Sequence, residues 1–112
     1  MDLSGIIGQF TTQIRVGQYD LQFSLGKVHF LITSPISLVR EGAEIGRWNE
    51  GSWPDPAFFE VMNVNLSRYE IPDDRTIVLY LENGVEIHLS DDSDQYECIQ
   101  ISVDGNPSQT II

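Results

Sequence analysis

Leu79-Tyr80-Leu81-Glu82-Asn83-Gly84-Val85-Glu86-Ile87-His88-Leu89 decides how this chain folds. Leucines at 79 and 81, then Ile87 and Leu89, occupy alternate positions, and that period puts them on one face of a β-strand. Between the two runs stands Asn83-Gly84. Both residues tolerate positive φ, so the pair closes a short antiparallel hairpin.

Upstream lies an echo of the same stretch. Leu21-Gln22-Phe23-Ser24-Leu25-Gly26-Lys27-Val28-His29-Phe30-Leu31 repeats the alternation around Gly26. Leu21, Phe23, Gly26 and Leu31 match Leu79, Leu81, Gly84 and Leu89 at one offset. Ile7, Ile14 and Val16 match Met62, Tyr69 and Ile71 at an offset three residues smaller, the difference falling where Pro72-Asp73-Asp74-Arg75 replaces Gly17-Gln18-Tyr19. Each unit reads as a β-meander, with strands expected near 10–16, 20–25 and 27–33, near 67–72, 76–82 and 85–90, and a further strand near 96–103.

A different kind of segment joins the units. Ser34-Pro35 stops the third strand, and residues 37–45 fit a small hairpin around Glu41-Gly42. A turn-rich loop, Gly46 to Pro56, carries both tryptophans. Asp55 followed by Pro56 is a helix-start signal, and a short helix is expected over about 56–62. Asp104-Gly105-Asn106-Pro107 reads as a turn before a last strand at Thr110-Ile111-Ile112. The fold class expected is mainly β: two meander repeats in an antiparallel barrel-like or sandwich-like sheet with one short helix. The 112 residues form a single domain, with unit 1 about 3–33, connector 34–63, and unit 2 with its closing strand 64–112.

Charge narrows the function classes. Six basic against 17 acidic residues give -11. From Tyr69 onward ten acids face one base, Arg75, a local net of -9. Such a field repels nucleic acid and acidic membranes and speeds encounter with a basic protein. No apolar run approaches the roughly 20 residues that span a bilayer. Met1-Asp2-Leu3 carries an acid where a leader peptide carries bases, so a cytoplasmic location is expected.

The pattern Phe23-x-x-Gly26, Ile32-x-Ser34-Pro35-Ile36-Ser37-Leu38, Gly42 and Gly46, Leu81-x-Asn83-Gly84-x-x-Ile87-x-Leu89, then Asp94-x-Tyr96-Glu97-x-x-Gln100-Ile101 resembles a group of small bacterial β domains of unknown function. They are similar in character to immunity proteins that neutralise polymorphic toxins. The resemblance covers roughly residues 3–103. It departs at Cys98-Ile99, where relatives often carry a large aromatic after the Tyr-Glu pair. It implies a bacterial or phage origin and a binding role, and it supplies no catalytic residue.

Candidate chemistry is sparse. His29 and His88 fall near corresponding points of the two units, but their apolar neighbours turn each towards the solvent face, and no second ligand stands at metal spacing. Asp91-Asp92-Ser93-Asp94 crowds three carboxylates without the spacing of a calcium loop, and Asp73-Asp74 reads as a turn rather than a glycosidase pair. The lone Cys98 reads as a small buried hydrophobe. No serine sits in a Gly-x-Ser-x-Gly frame, and no enzyme is expected. The partner-binding candidates are therefore Trp48, Trp53, Asp73, Asp74, Asp91, Asp92, Asp94 and Glu97, with no cofactor and no metal. The leading reading is an acidic immunity or inhibitor-type protein that binds a basic toxin or nuclease. Two others stay open: a phage-encoded nucleic-acid mimic that inhibits a defence system, and a self-associating module that forms a homodimer.

Overall fold

A computed structural model describes residues 3–91, 98–104 and 106–111, the last segment in its backbone only. Among the described residues ten strands form two five-stranded antiparallel sheets. They are β1 (Ile14–Val16), β2 (Leu21–Leu25), β3 (Val28–Ile32), β4 (Ile36–Arg40), β5 (Ala43–Trp48), β6 (Leu66–Asp73), β7 (Thr76–Leu81), β8 (Val85–Ser90), β9 (Ile99–Val103) and β10 (Asn106–Ile111). The first sheet runs β1-β2-β3-β9-β10 and the second β5-β4-β8-β7-β6. The mainly β expectation holds, and the two sheets pack as a sandwich about one core.

The alternation seen in the sequence builds that core. Leu21, Phe23 and Leu25 on β2, with Val28, Phe30 and Ile32 on β3, are buried, as are Ile77, Leu79 and Leu81 on β7 and Val85, Ile87 and Leu89 on β8. Phe23 and Phe30 stack with ring centres 4.8 Å apart. These side chains join Ile36, Leu38, Trp48, Ile99 and Ile101 in one cluster. Burying a large apolar side chain contributes about 1.5–3 kcal/mol, so this interdigitated layer supplies most of the drive to fold.

The repeat is deeper than three strands. Hairpin β4–β5 leaves the first meander and adds to the second sheet; hairpin β9–β10 leaves the second meander and adds to the first. Ile36 pairs with Leu89 just as Ile99 pairs with Ile32. The segment expected to be a connector is thus part of the repeat. Two 3-10 turns, Ser4–Ile6 and Pro56–Val61, complete the correspondence: Leu3 and Ile6 are buried in one, Phe58 and Val61 in the other. Beyond them Gly8 (φ 82°) and Asn63 (φ 63°) take the same left-handed backbone. The N–H of Gly8 donates to the carbonyl of Leu66 at 2.8 Å, and that of Asn63 to Thr11 at 2.7 Å. These two bonds are mates across a pseudo-twofold axis.

Three expectations need correction. The offset that paired Leu21 with Leu79 is two residues too large. Leu21 faces Ile32 and Ile77 faces Leu89, so Leu21 corresponds to Ile77, while Leu31 points outward and Leu89 inward. The second hairpin turns on three residues, Glu82 to Gly84, against two, Gly26-Lys27, in the first, and a one-residue difference flips the face of everything beyond it. Next, the short helix is a 3-10 turn, Pro56–Val61. Asp55 does not cap it, because its Oδ2 instead accepts the backbone N–H of Arg47 at 2.9 Å. Finally, the last strand begins at Asn106, before the position expected for it.

Candidate functional site

Strand direction sorts the loops into two groups. At one end of the sandwich lie the β1–β2 turn (17–20), the β3–β4 link (33–35), the loop after β5 (49–55), the β6–β7 turn (74–75), Asp91 after β8 and Cys98 before β9. The hairpin turns at 26–27, 41–42 and 82–84, and Asp104 after β9, lie at the other.

The first end gathers most of the candidates that fall on described residues. Trp53 is 81% exposed and Tyr19 63% exposed. Their loops are tied together where the N–H of Gly51 donates to the carbonyl of Gln18 at 2.8 Å, beside a groove of about 250 Å³ lined by Val16, Gly17, Gln18 and Trp53. Asp73 and Asp74 are exposed at the β6–β7 turn. Asp73 Oδ1 accepts the N–H of Arg75 at 2.8 Å, an arrangement that folds the turn on itself. The N–H of Asp91 donates to the carbonyl of Arg75, also at 2.8 Å, and sets Asp91 beside the Asp73-Asp74 turn. Asp92, Asp94 and Glu97 lie outside the described residues.

Trp48 must be removed from the contact set. It ends β5 on the inward face, opposite Ile36, and its side chain is fully buried. Its indole Nε1 has no hydrogen-bond partner among the described residues. Sequence placed both tryptophans in one loop; a strand that runs to residue 48 separates them, one into the core and one into solvent.

The carboxylates are not confined to that end. Glu44, Glu70 and Glu86 stand on the outer face of the second sheet, and Glu41, Glu60 and Glu82 near its far end. The outer face of the first sheet carries Gln22, Ser24, His29, Leu31, Gln100 and Ser102 and no acid on those strands. Among the described residues the outer face of the second sheet is therefore the acidic one. On the acidic side Arg68 pairs with Glu70 and stacks over the Tyr80 ring, 3.7 Å from its centre. The bond to Glu70 raises the Arg68 pKa above its usual value. Partial burial, then the Glu70 charge, push the Tyr80 phenol up.

At the opposite end the structure assembles a group that no single stretch of sequence contains. Gly26-Lys27 closes β2 onto β3 so that Ser24 and His29 are cross-strand neighbours, and Ser24 Oγ lies 2.6 Å from His29 Nδ1. Strand β9 pairs on the other side of β3 and delivers Asp104, whose Oδ1 lies 2.5 Å from His29 Nε2. The N–H of Asp104 donates to the carbonyl of Lys27 at 2.9 Å and fixes the carboxylate's backbone. Ser24 and His29 edge a cleft of about 350 Å³ lined also by Gln9, Thr12, Gln13 and Arg15. The only sequence signal was the spacing of Ser24 and His29 around a turn; Asp104 is 75 residues from His29. His88, by contrast, sits on the other sheet and meets Glu86 at 3.0 Å, so the two histidines share no site.

Among the described residues no three His, Cys, Asp or Glu side chains converge as metal ligands, and no helix is long and apolar enough to cross a membrane. No family model, curated protein or solved structure matches the chain.

Proposed function

We propose that this protein is a small acidic binding domain of the immunity or inhibitor type, and that it captures a partner protein through the end that carries Trp53, Asp73, Asp74 and Asp91. The observation that supports this most directly is the company Trp53 keeps. A tryptophan 81% exposed stands at the same end as exposed Asp73 and Asp74. A rigid aromatic ring supplies buried area at low entropic cost, and surrounding charge supplies rate and selectivity. A basic partner with an apolar notch, such as a toxin or nuclease surface, complements both. The resemblance to immunity-type β domains points the same way.

Self-association is less well served. The long exposed edge β6 carries Arg68 and Glu70 and two register irregularities, features that resist strand addition.

Affinity capture from the native host at low and high salt, followed by titration of the captured protein, tests the proposal. Asp73→Asn/Asp74→Asn/Asp91→Asn keeps a side-chain oxygen that can accept the Arg75 N–H and fold the turn while removing three charges. Binding by a basic partner should weaken in this variant and with added salt, and Trp53→Ala should cost at least about 2 kcal/mol, the level of a contact hot spot. Affinity unchanged by salt and by both variants would sink the proposal.

A further inference from the structure

We propose that Ser24 is an activated nucleophile, with His29 as its base and Asp104 as the residue that positions the base, in a cleft open to a small polar ester. This site lies at the opposite end from the binding surface above and does not depend on it.

The chemistry follows from the two short contacts. Asp104 Oδ1, 2.5 Å from His29 Nε2, accepts a hydrogen bond from it. In the neutral ring the other nitrogen, Nδ1, is then the unprotonated one. That nitrogen faces Ser24 Oγ at 2.6 Å, close enough to take its proton. The order of ring nitrogens is the reverse of the familiar serine-protease triad. The requirement is the same: a carboxylate holds one N–H so that the opposite lone pair meets the hydroxyl.

Rigid elements hold the group in place. Ser24 and His29 are in register on adjacent strands, and the β9 turn is pinned to Lys27. The cleft beside them is lined by Phe10 and Phe23, by amide and hydroxyl side chains and by Arg15, whose Nη2 donates to Gln22 Oε1 at 3.3 Å. A guanidinium has five N–H donors, so Arg15 suits a substrate oxygen near the serine. The polar part of the lining, with Arg15, fits the polar end of a small ester.

In the step inferred, Ser24 Oγ attacks the ester carbonyl carbon while its proton passes to His29 Nδ1. The bond from that carbon to the alcohol oxygen breaks, and the alcohol departs with the proton. Water then attacks the acyl-serine and yields a proton to Nδ1. Ser24 Oγ leaves, takes that proton back, and the acid is released.

A purely structural hydrogen-bond chain at these positions predicts an ordinary, unreactive serine, and this is what an experiment can separate. The full chain is incubated with a fluorophosphonate, whose phosphorus accepts the serine oxygen as fluoride leaves. Intact mass and peptide mapping locate the adduct. One adduct on Ser24 is expected, absent in Ser24→Ala. It should form about 10²-fold or more slowly in His29→Gln, the usual scale for loss of a general base. Asp104→Asn should slow it too, and Asp104→Glu should restore part of the rate, a rescue that a merely structural role would not give. Circular dichroism checks that each variant is folded. A folded wild type that gains no adduct on Ser24, or that labels at the same rate without the imidazole, overturns the proposal.

Discussion

Gly46 stands where β5 meets the Pro56–Val61 turn. A Cβ built on it would lie 2.9 Å from the Ala57 Cβ and 3.4 Å from that of Asp55. The close approach is what lets Asp55 reach the Arg47 N–H, so the glycine's missing side chain is the reason the loop bearing Trp53 can fold back on the strand edge. Overpacking of this sort costs about 1–3 kcal/mol. Gly46→Val should therefore lower the urea midpoint without changing the slope, and adding Ala57→Gly should recover part of the loss. The same scale shows the limits of residue type as a guide. Trp48 and Trp53 are five positions apart and chemically identical, yet one is core and the other is almost bare. Burial was decided by the inward face of β5.

Strand pairs set the electrostatics of the acidic side. Arg68 on β6 lies opposite Tyr80 on β7, and Glu70 reaches Arg68 along its own strand. Desolvation and the Glu70 carboxylate both disfavour the ionised phenolate of Tyr80. Its folded pKa is thus above its unfolded value near 10.0. The neutral phenol contributes its stabilisation fully below pH 10.0 and loses it as pH rises through the folded value. Spectrophotometric titration should show one tyrosine that ionises later than an unperturbed phenol. Tyr80→Phe should remove that step and flatten the alkaline fall in stability, and Glu70→Gln should bring the step to lower pH. If all tyrosines ionise together in the wild type, the packing of this cluster is wrong. The hairpins at this scale were legible from sequence: Asn83-Gly84 and Glu41-Gly42 both turn where they stand, and Gly42 and Gly84 have φ of 80° and 88°. The count of turn residues was not legible, because Asn-Gly serves loops of two and of three residues, and that single residue shifted the whole alignment of the repeats.

The sandwich as a whole is an exchange. Each sheet takes three strands from one repeat and two from the other, so neither repeat can bury its own inner face. A fragment of residues 1–54 should be unfolded by circular dichroism when alone and gain β structure only when mixed with residues 55–112. A fragment that folds by itself with a cooperative transition would contradict the swapped arrangement. Exchange also explains how Asp104 reaches His29: the second repeat's hairpin docks beside the first repeat's β3. Asp91 reaches Arg75 within one repeat, because β8 ends where antiparallel β7 begins.

Period-two hydrophobicity and turn chemistry were enough, unaided, to establish a mainly β chain with two related meanders, an acidic second half, and histidines facing outward. These properties are local, since a strand's pleat and a turn's φ are dictated by neighbours in sequence. Which hairpin joins which sheet, which tryptophan is bare, and how Ser24, His29 and Asp104 come within hydrogen-bonding reach were decided only by tertiary structure. Those outcomes depend on contacts between segments tens of residues apart, and the alternating pattern that makes a strand does not encode its partner.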